Sequence, residues 1–309
     1  MDREDKRVIA IATADIHLSN KQPICRKDNY KESLIGKLKL LRRRASKLGV
    51  PVIDSGDLFD RAKPSPEVIS IALANLPENF ITIPGNHDIS YHNYELYNET
   101  ALYALSKANT GVKVLKPYET IVTDDFTLTA FPYGFTDLSN VNWDMAQTKG
   151  KLRIALMHIM TYDGEKPYPQ CTDLSAKELC KLLEEFDVVV TGHNHQCFTR
   201  QVGNTTLLNP GSLMRSTADQ VNYIPRIWYI MEDGSLEYEE IDVRKEDVSN
   251  EHIVEEKEVN ERMESFVSNL IGNKEVSLSF IDNLNTYMNI NNIDNKIKDT
   301  INQVIEEVN

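Results

Sequence analysis

Five short strings rich in metal-binding atoms follow one another along the chain: Asp15-Ile16-His17, Gly56-Asp57 with Asp60 three residues on, Gly85-Asn86-His87-Asp88, an isolated His158, and Gly192-His193-Asn194-His195. A donor set that mixes carboxylate and carboxamide oxygens with imidazole nitrogens suits Mn, Fe or Zn better than an all-oxygen Mg or Ca site. Asp15 and His17 stand at i and i+2, so on extended chain both side chains project to one side and reach one ion; His193 and His195 repeat that spacing. Asp57, after a glycine at a strand end, is placed where a carboxylate can bridge two cations, and Gly85 allows close backbone approach beside the neutral oxygen of Asn86. Five of the seven histidines fall in these strings. Burying so many polar groups without a cation would be costly. His92 and His252 fit no string and are expected at the surface. Two cations roughly 3.5–4 Å apart can share a water, lower its pKa and clamp the oxygens of a phosphoryl group, which is the chemistry of a two-metal hydrolase.

Such side chains need a rigid frame. Each string begins where a hydrophobic run ends, at 8–14, 50–53, 80–83, 154–157 and 188–190. These runs read as buried strands, so the strings occupy carboxyl ends, where open α/β sheets build their sites. Residues 28–48 carry Leu34, Leu38, Leu41, Ala45 and Leu48 at helical steps, closed by Gly49 and Pro51. The opposite face of that helix holds Lys37, Lys39, Arg42, Arg43, Arg44 and Lys47, expected as a solvated basic face, with a DNA-backbone contact as the alternative. From 112 to 134 and from 197 to 241 short strands alternate with turns at Asp124-Asp125, Gly203-Asn204 and Asp233-Gly234. Parallel units mixed with hairpins predict an α/β (α+β) class fold, a four-layer αββα sandwich over residues 1–245. Residues 246–309 form a separate, small helical appendage with helices expected near 254–270 and 293–308. Ile293, Ile297, Ile301, Val304, Ile305 and Val308 supply an apolar stripe on the second.

The chain has 309 residues, 41% of them hydrophobic and 26% charged, the composition of an ordinary globular protein. Asp15 and His17 interrupt the first apolar stretch, so neither a signal peptide nor a membrane span is expected. The four cysteines show no CxxC spacing, which argues against a zinc knuckle and fits a reducing cytoplasm, a host's if the chain is phage-encoded. The net charge of −13 is awkward for binding phosphates. Residues 246–309 hold 14 acidic and 5 basic side chains, leaving only −4 for residues 1–245, which two divalent ions would cancel.

The ordered strings D-x-H, G-D-x-x-D, G-N-H-D, H and G-H-x-H resemble those of the calcineurin-like metallophosphoesterases, over residues 7 to about 241. The resemblance implies that Asp15, His17 and His195 hold one ion, that Asn86, His158 and His193 hold the other, and that Asp57 bridges both. It implies further that His87 is the catalytic histidine, a general acid for the leaving alkoxide, oriented by Asp88. Asp60 is expected as a supporting residue or helix N-cap rather than a ligand.

Gly56-Asp57-Leu58-Phe59-Asp60, Pro84-Gly85-Asn86-His87-Asp88 and Asn209-Pro210-Gly211-Ser212-Leu213-Met214-Arg215 are similar to strings of the SbcD-type recombination and repair nucleases, most of all their short, phage-type members. That likeness implies a manganese-dependent DNA nuclease that forms a homodimer and works with an SMC-like coiled-coil ATPase gripping residues 246–309, with Arg215 near a substrate phosphate. Larger relatives carry a fuller DNA-capping domain, whereas this acidic appendage is poorly suited to grip DNA. Two other readings are a small-molecule phosphodiesterase or nucleotidase, and a non-catalytic metal-binding subunit that lends its appendage to an ATPase.

Overall fold

The computed structural model describes residues 6–108, 110–166, 170–249, 280–291 and 293–308. The chain divides into two units, 1–250 and 251–309.

In the first unit two six-stranded sheets carry the fold. One has the order β14-β13-β1-β2-β3-β4, from β1 (Val8–Thr13), β2 (Val52–Asp54), β3 (Phe80–Thr82), β4 (Val112–Val114), β13 (Arg226–Met231) and β14 (Leu236–Glu240). The other has the order β11-β12-β10-β7-β6-β5, from β5 (Thr120–Val122), β6 (Phe126–Phe131), β7 (Leu152–His158), β10 (Val188–Gly192), β11 (Phe198–Val202) and β12 (Thr205–Asn209). A small pair, β8 (Thr161–Tyr162) and β9 (Leu174–Ser175), stands apart. The central strands run parallel, β1 to β4 in one sheet and β6, β7, β10 and β12 in the other, while hairpins close the edges. Those hairpins turn at the three expected sites.

Strand alternation sorts the core into layers. Ala10, Ala12, Ile53 and Ile81 of the first sheet meet Ile154, Leu156, Val188 and Val190 of the second. On the outer face of the first sheet, Ile11, Val52 and Phe80 pack under α1 (Tyr30–Leu48), α2 (Pro66–Asn75) and α3 (Ala101–Lys107). Met157, Val189 and Leu207 pack with residues of α4 (Trp143–Ala146) and α5 (Ala176–Leu182) on the outer face of the second. The result is the four-layer αββα sandwich. Asn29 caps α1 by accepting from the Glu32 N–H, and Gly49 ends it in the left-handed conformation at φ 68°.

The basic face of α1 is less free than expected. Lys37 is buried, donates to the Leu213 carbonyl at 2.9 Å and pairs with Glu246 at 2.7 Å. Arg44 is paired with Glu239, and Arg42 donates to the Ala74 carbonyl. These contacts answer the desolvation that packing imposes on long cationic side chains.

The core also runs past the expected boundary at 245. Lys27 donates its N–H to the Asp247 carbonyl, Ser249 donates to Cys25, and Arg26 bridges Val248. The Glu246 side chain is only 4% exposed and faces Arg26, Lys37 and Arg215. The first unit runs to residue 250 and so takes in this buried ion cluster, which no spacing along the chain announces.

The second unit contains α6 (Phe280–Ile290) and α7 (Asn295–Val308). The second matches the helix expected near 293–308, and Ile297 on it is 53% exposed. The helix expected at 254–270 and His252 lie outside the described residues. No helix among the described residues is long and apolar enough to cross a membrane.

Candidate metal and active site

The five strings lie at the carboxyl ends of β1, β2, β3, β7 and β10. Beyond β1 and β2 the two loops continue side by side, Asp15 donating its N–H to Gly56 and His17 to Asp57. They do so with kinks: Asp15, His17, Asp57 and His193 all have positive φ, at 49°, 47°, 55° and 87°. Non-glycine residues enter this region at a cost, and such strain concentrates at functional sites. The loops are crowded as well. A Cβ on Gly85 would lie 2.1 Å from Asp57 Oδ1, so only glycine fits there.

Besides His17, Asp60 and His87, whose donor atoms also converge, two donor groups result. The ligating atoms of Asp15, His17 and His195 lie within 4.8 Å of one another, and those of Asp57, His158 and His193 do likewise. His17 Nε2 and His195 Nε2 are 3.0 Å apart, about the separation of two adjacent ligands at roughly 2.1 Å from one ion. Asp57 stands between the groups. Its Oδ1 accepts from the His87 N–H at 2.8 Å, while Oδ2 lies 3.4 Å from His158 Nε2 and 3.7 Å from His17 Nε2. Asn86 Oδ1 is 2.9 Å from His158 Nε2.

The chemistry of these contacts calls for cations. His158 Nδ1 faces the Ser55 carbonyl at 2.8 Å, and a carbonyl only accepts, so the proton sits on Nδ1. In the neutral ring the Nε2 lone pair then faces two oxygen acceptors, Asn86 Oδ1 and Asp57 Oδ2, an arrangement that a cation or a proton on Nε2 relieves. Burial works against a charged His158, but the adjacent Asp57 carboxylate outweighs it and pushes the imidazole up to about 9. Burial opposes ionisation of Asp57 too, yet His158 and His17 hold it below the usual carboxylate range. Burial pushes His17 down to about 3 and His193 down to about 4, keeping both as neutral lone-pair donors. The residues present therefore fit two divalent cations, Asp15, His17 and His195 on one side, Asn86, His158 and His193 on the other, with Asp57 common to both.

A model of the calcineurin-like phosphoesterase family matches residues 10–197. The chain belongs to that family. Members of the family hold two divalent metal ions, and this phosphoesterase has candidate ligand groups for them. Among solved structures, the chain is similar to an archaeal phosphodiesterase (15% identity, 75% of this chain and 99% of that one, TM-score 0.39) and to TT1561 of Thermus thermophilus (13% identity, 76% and 100%, TM-score 0.47). It is also similar to a putative 5'-nucleotidase from Staphylococcus aureus (12% identity, 75% and 52%, TM-score 0.49). No curated protein matches the chain.

Two expected roles change. Asp88 does not orient His87. Its fully buried carboxylate accepts the backbone N–H groups of Leu58, Phe59 and Gly85, tying the second and third strings together. Burial and the nearby Asp57 charge push it up to about 7. His87 is instead held by the Asp60 backbone carbonyl, 2.9 Å from its Nδ1, and its other nitrogen has no hydrogen-bond partner among the described residues. Arg215 is the second correction. It is buried, pairs with Glu246 at 3.0 Å and donates to the carbonyls of Val221 and Glu246, so it meets no substrate. The string that contains Arg215 works through Asn209, whose amide donates to the carbonyls of Asn194 and Gln196 and fixes the Gly-His-x-His turn.

His87 opens onto a cleft of about 410 Å³, bordered also by His17, His195, Asp60, Lys21 and Ile24. The backbone carbonyls of Ser55 and Asp60 escaped the sequence reading because a carbonyl belongs to every residue. Asp54 escaped it too: it is buried beside the site and binds the Gly56 N–H and Thr82 hydroxyl, and burial raises its pKa well above the ordinary value. The Asp54-Ser55-Gly56-Asp57 run was a signal that pointed to it.

Proposed function

We propose that this phosphoesterase is a manganese-dependent DNA nuclease of the SbcD type, which docks an SMC-like ATPase through its C-terminal unit and forms a homodimer. The observation that carries the nuclease reading is the placement of His87: exposed, next to the ligands of one ion, in a cleft open to solvent rather than in an enclosed pocket. A polymer can cross such a cleft, and the strings shared with the SbcD-type nucleases favour the same substrate.

When bound, the two cations supply charge neutralisation on the phosphoryl group and lower the pKa of a water. The chain does the rest. Asp57 would hold both ions, and its Oδ1 is anchored by the His87 N–H. The Asp60 carbonyl keeps a proton on His87 Nδ1, so in the imidazolium form Nε2–H is the proton available to the leaving alkoxide. Asp88 keeps the two loops in register.

The test is hydrolysis of a linear single-stranded oligodeoxynucleotide in manganese, compared with cyclic nucleotides and mononucleotides. Turnover of the oligonucleotide is expected. The net charge of −13 favours the rival, a small-molecule phosphodiesterase. Turnover confined to the small substrates would establish that rival, and no turnover of any would establish a binding subunit.

A further inference from the structure

We propose that the metal centre is the middle of a longer site for unpaired nucleic acid, in which one base rests on Tyr133 and a neighbouring phosphate meets Lys21. The inference rests on the nuclease reading and names the residues that would make a polynucleotide the better substrate.

Tyr133 follows β6 and donates its N–H to the Pro84 carbonyl, directly before the Gly85-Asn86 string. Its ring centroid lies 6.2 Å from that of His158 and 6.0 Å from that of His193, both ligands on the same ion. His92 meets the ring edge-on at 5.6 Å. The ring is partly exposed, and its hydroxyl has no hydrogen-bond partner among the described residues. Beside it Tyr91 and His92 both take positive φ, at 54° and 55°, and Tyr91 is 92% exposed. An aromatic surface is thus held at the edge of the metal centre, where a base can stack whatever its identity.

The other bank adjoins the other ion. Ser19, Lys21 and Asp60 line both the cleft that contains His17, His87 and His195 and a second, adjoining cleft bordered by Arg61 and Lys63. Lys21 is exposed and has no ion-pair partner among the described residues, while Lys63 is engaged by Glu99 and Arg61 lies 3.9 Å from Asp60. Lys21 is therefore the cation left for a phosphate. Tyr133 borders one ion's ligands and the Lys21 cleft borders the other's, so a strand with its scissile phosphate between the ions has one bank on each side. Because the base must be unpaired to stack, the substrate is single-stranded.

The experiment uses the full chain in manganese with two substrates, an oligothymidylate and an abasic oligonucleotide of equal length. Wild type should show a KM on the order of ten-fold lower for the oligothymidylate. Tyr133→Ala should erase that preference while leaving abasic kinetics unchanged, and Tyr133→Phe should keep it. Lys21→Gln should weaken both substrates and reduce the slope of log KM against log salt concentration by about 0.7, one single-strand phosphate contact. Equal losses on both substrates in Tyr133→Ala would mean a structural role and overturn the stacking bank. An unchanged salt slope in Lys21→Gln, an exposed residue whose replacement does not disturb the core, would overturn the phosphate bank. If wild type cleaves both oligonucleotides and neither variant departs from it, the longer site alone falls. If wild type cleaves a p-nitrophenyl phosphodiester but neither oligonucleotide, the nuclease reading falls and this inference with it.

Discussion

His87 touches the Asp60 carbonyl through Nδ1 and lines the cleft, whereas Asp88 binds three backbone N–H groups. The two neighbours should therefore respond differently to substitution. His87→Ala should retain both ions and lose on the order of 10²- to 10⁴-fold in turnover on poor leaving groups, far less on p-nitrophenolate, which needs no proton. Metal analysis with paired kinetics checks this, and loss of metal would contradict the acid role. Asp88→Asn should lower the melting temperature and depress all leaving groups alike, because it loosens the loops without touching the proton. Asp57→Ala should be the most damaging single change: one carboxylate serves both donor groups, so metal content and activity should fall together.

Glu246 belongs to no regular element, yet it holds several in place. Its carboxylate faces Arg26 beside the cleft loop, Lys37 of α1 and Arg215 after β12. Glu246→Ala would leave three buried cations without their common partner, a loss of about 3–5 kcal/mol measurable by denaturant titration. Lys37 adds a pH signature. Burial, only partly offset by Glu246, lowers its pKa from 10.5 to about 8. Between those values the unfolded chain binds more protons than the folded one, so this group makes stability rise with pH, by at most about 1.4 kcal/mol per unit. The contribution is complete above 10.5 and absent below 8. Lys37→Met should flatten the difference curve across that window.

At the scale of the molecule, the acidic C-terminal segment is unsuited to gripping DNA, while α7 carries Ile297 on an exposed face. Deleting residues 251–309 should leave manganese-dependent cleavage of single-stranded DNA and the melting temperature close to wild type, and abolish ATP-stimulated cleavage of duplex by the assembled complex. Deleting 246–309 instead should lower the melting temperature and basal activity, since Glu246 goes with it. A joint loss of stability and basal activity in the shorter deletion would rule out the docking role.

The sequence alone determined the sandwich, its hairpins and the strand-end placement of the five strings. Burial and turn chemistry are local properties that spacing records, and Asp, Asn and His are the residue types that bind metal. Tertiary structure decided which of these side chains meet. Asp88 lies next to His87 along the chain but is drawn to three backbone donors of the crossing loops, because a buried carboxylate satisfies itself with whatever N–H groups packing supplies. Arg215 resembles a phosphate ligand in sequence and is a buried ion-pair partner in space, since Glu246 arrives from 31 residues further on. Lys37 likewise lies on the polar side of its helix by periodicity and is buried against Glu246 in space. Periodicity gives the side a residue occupies on its own helix, but what covers that side comes from distant chain.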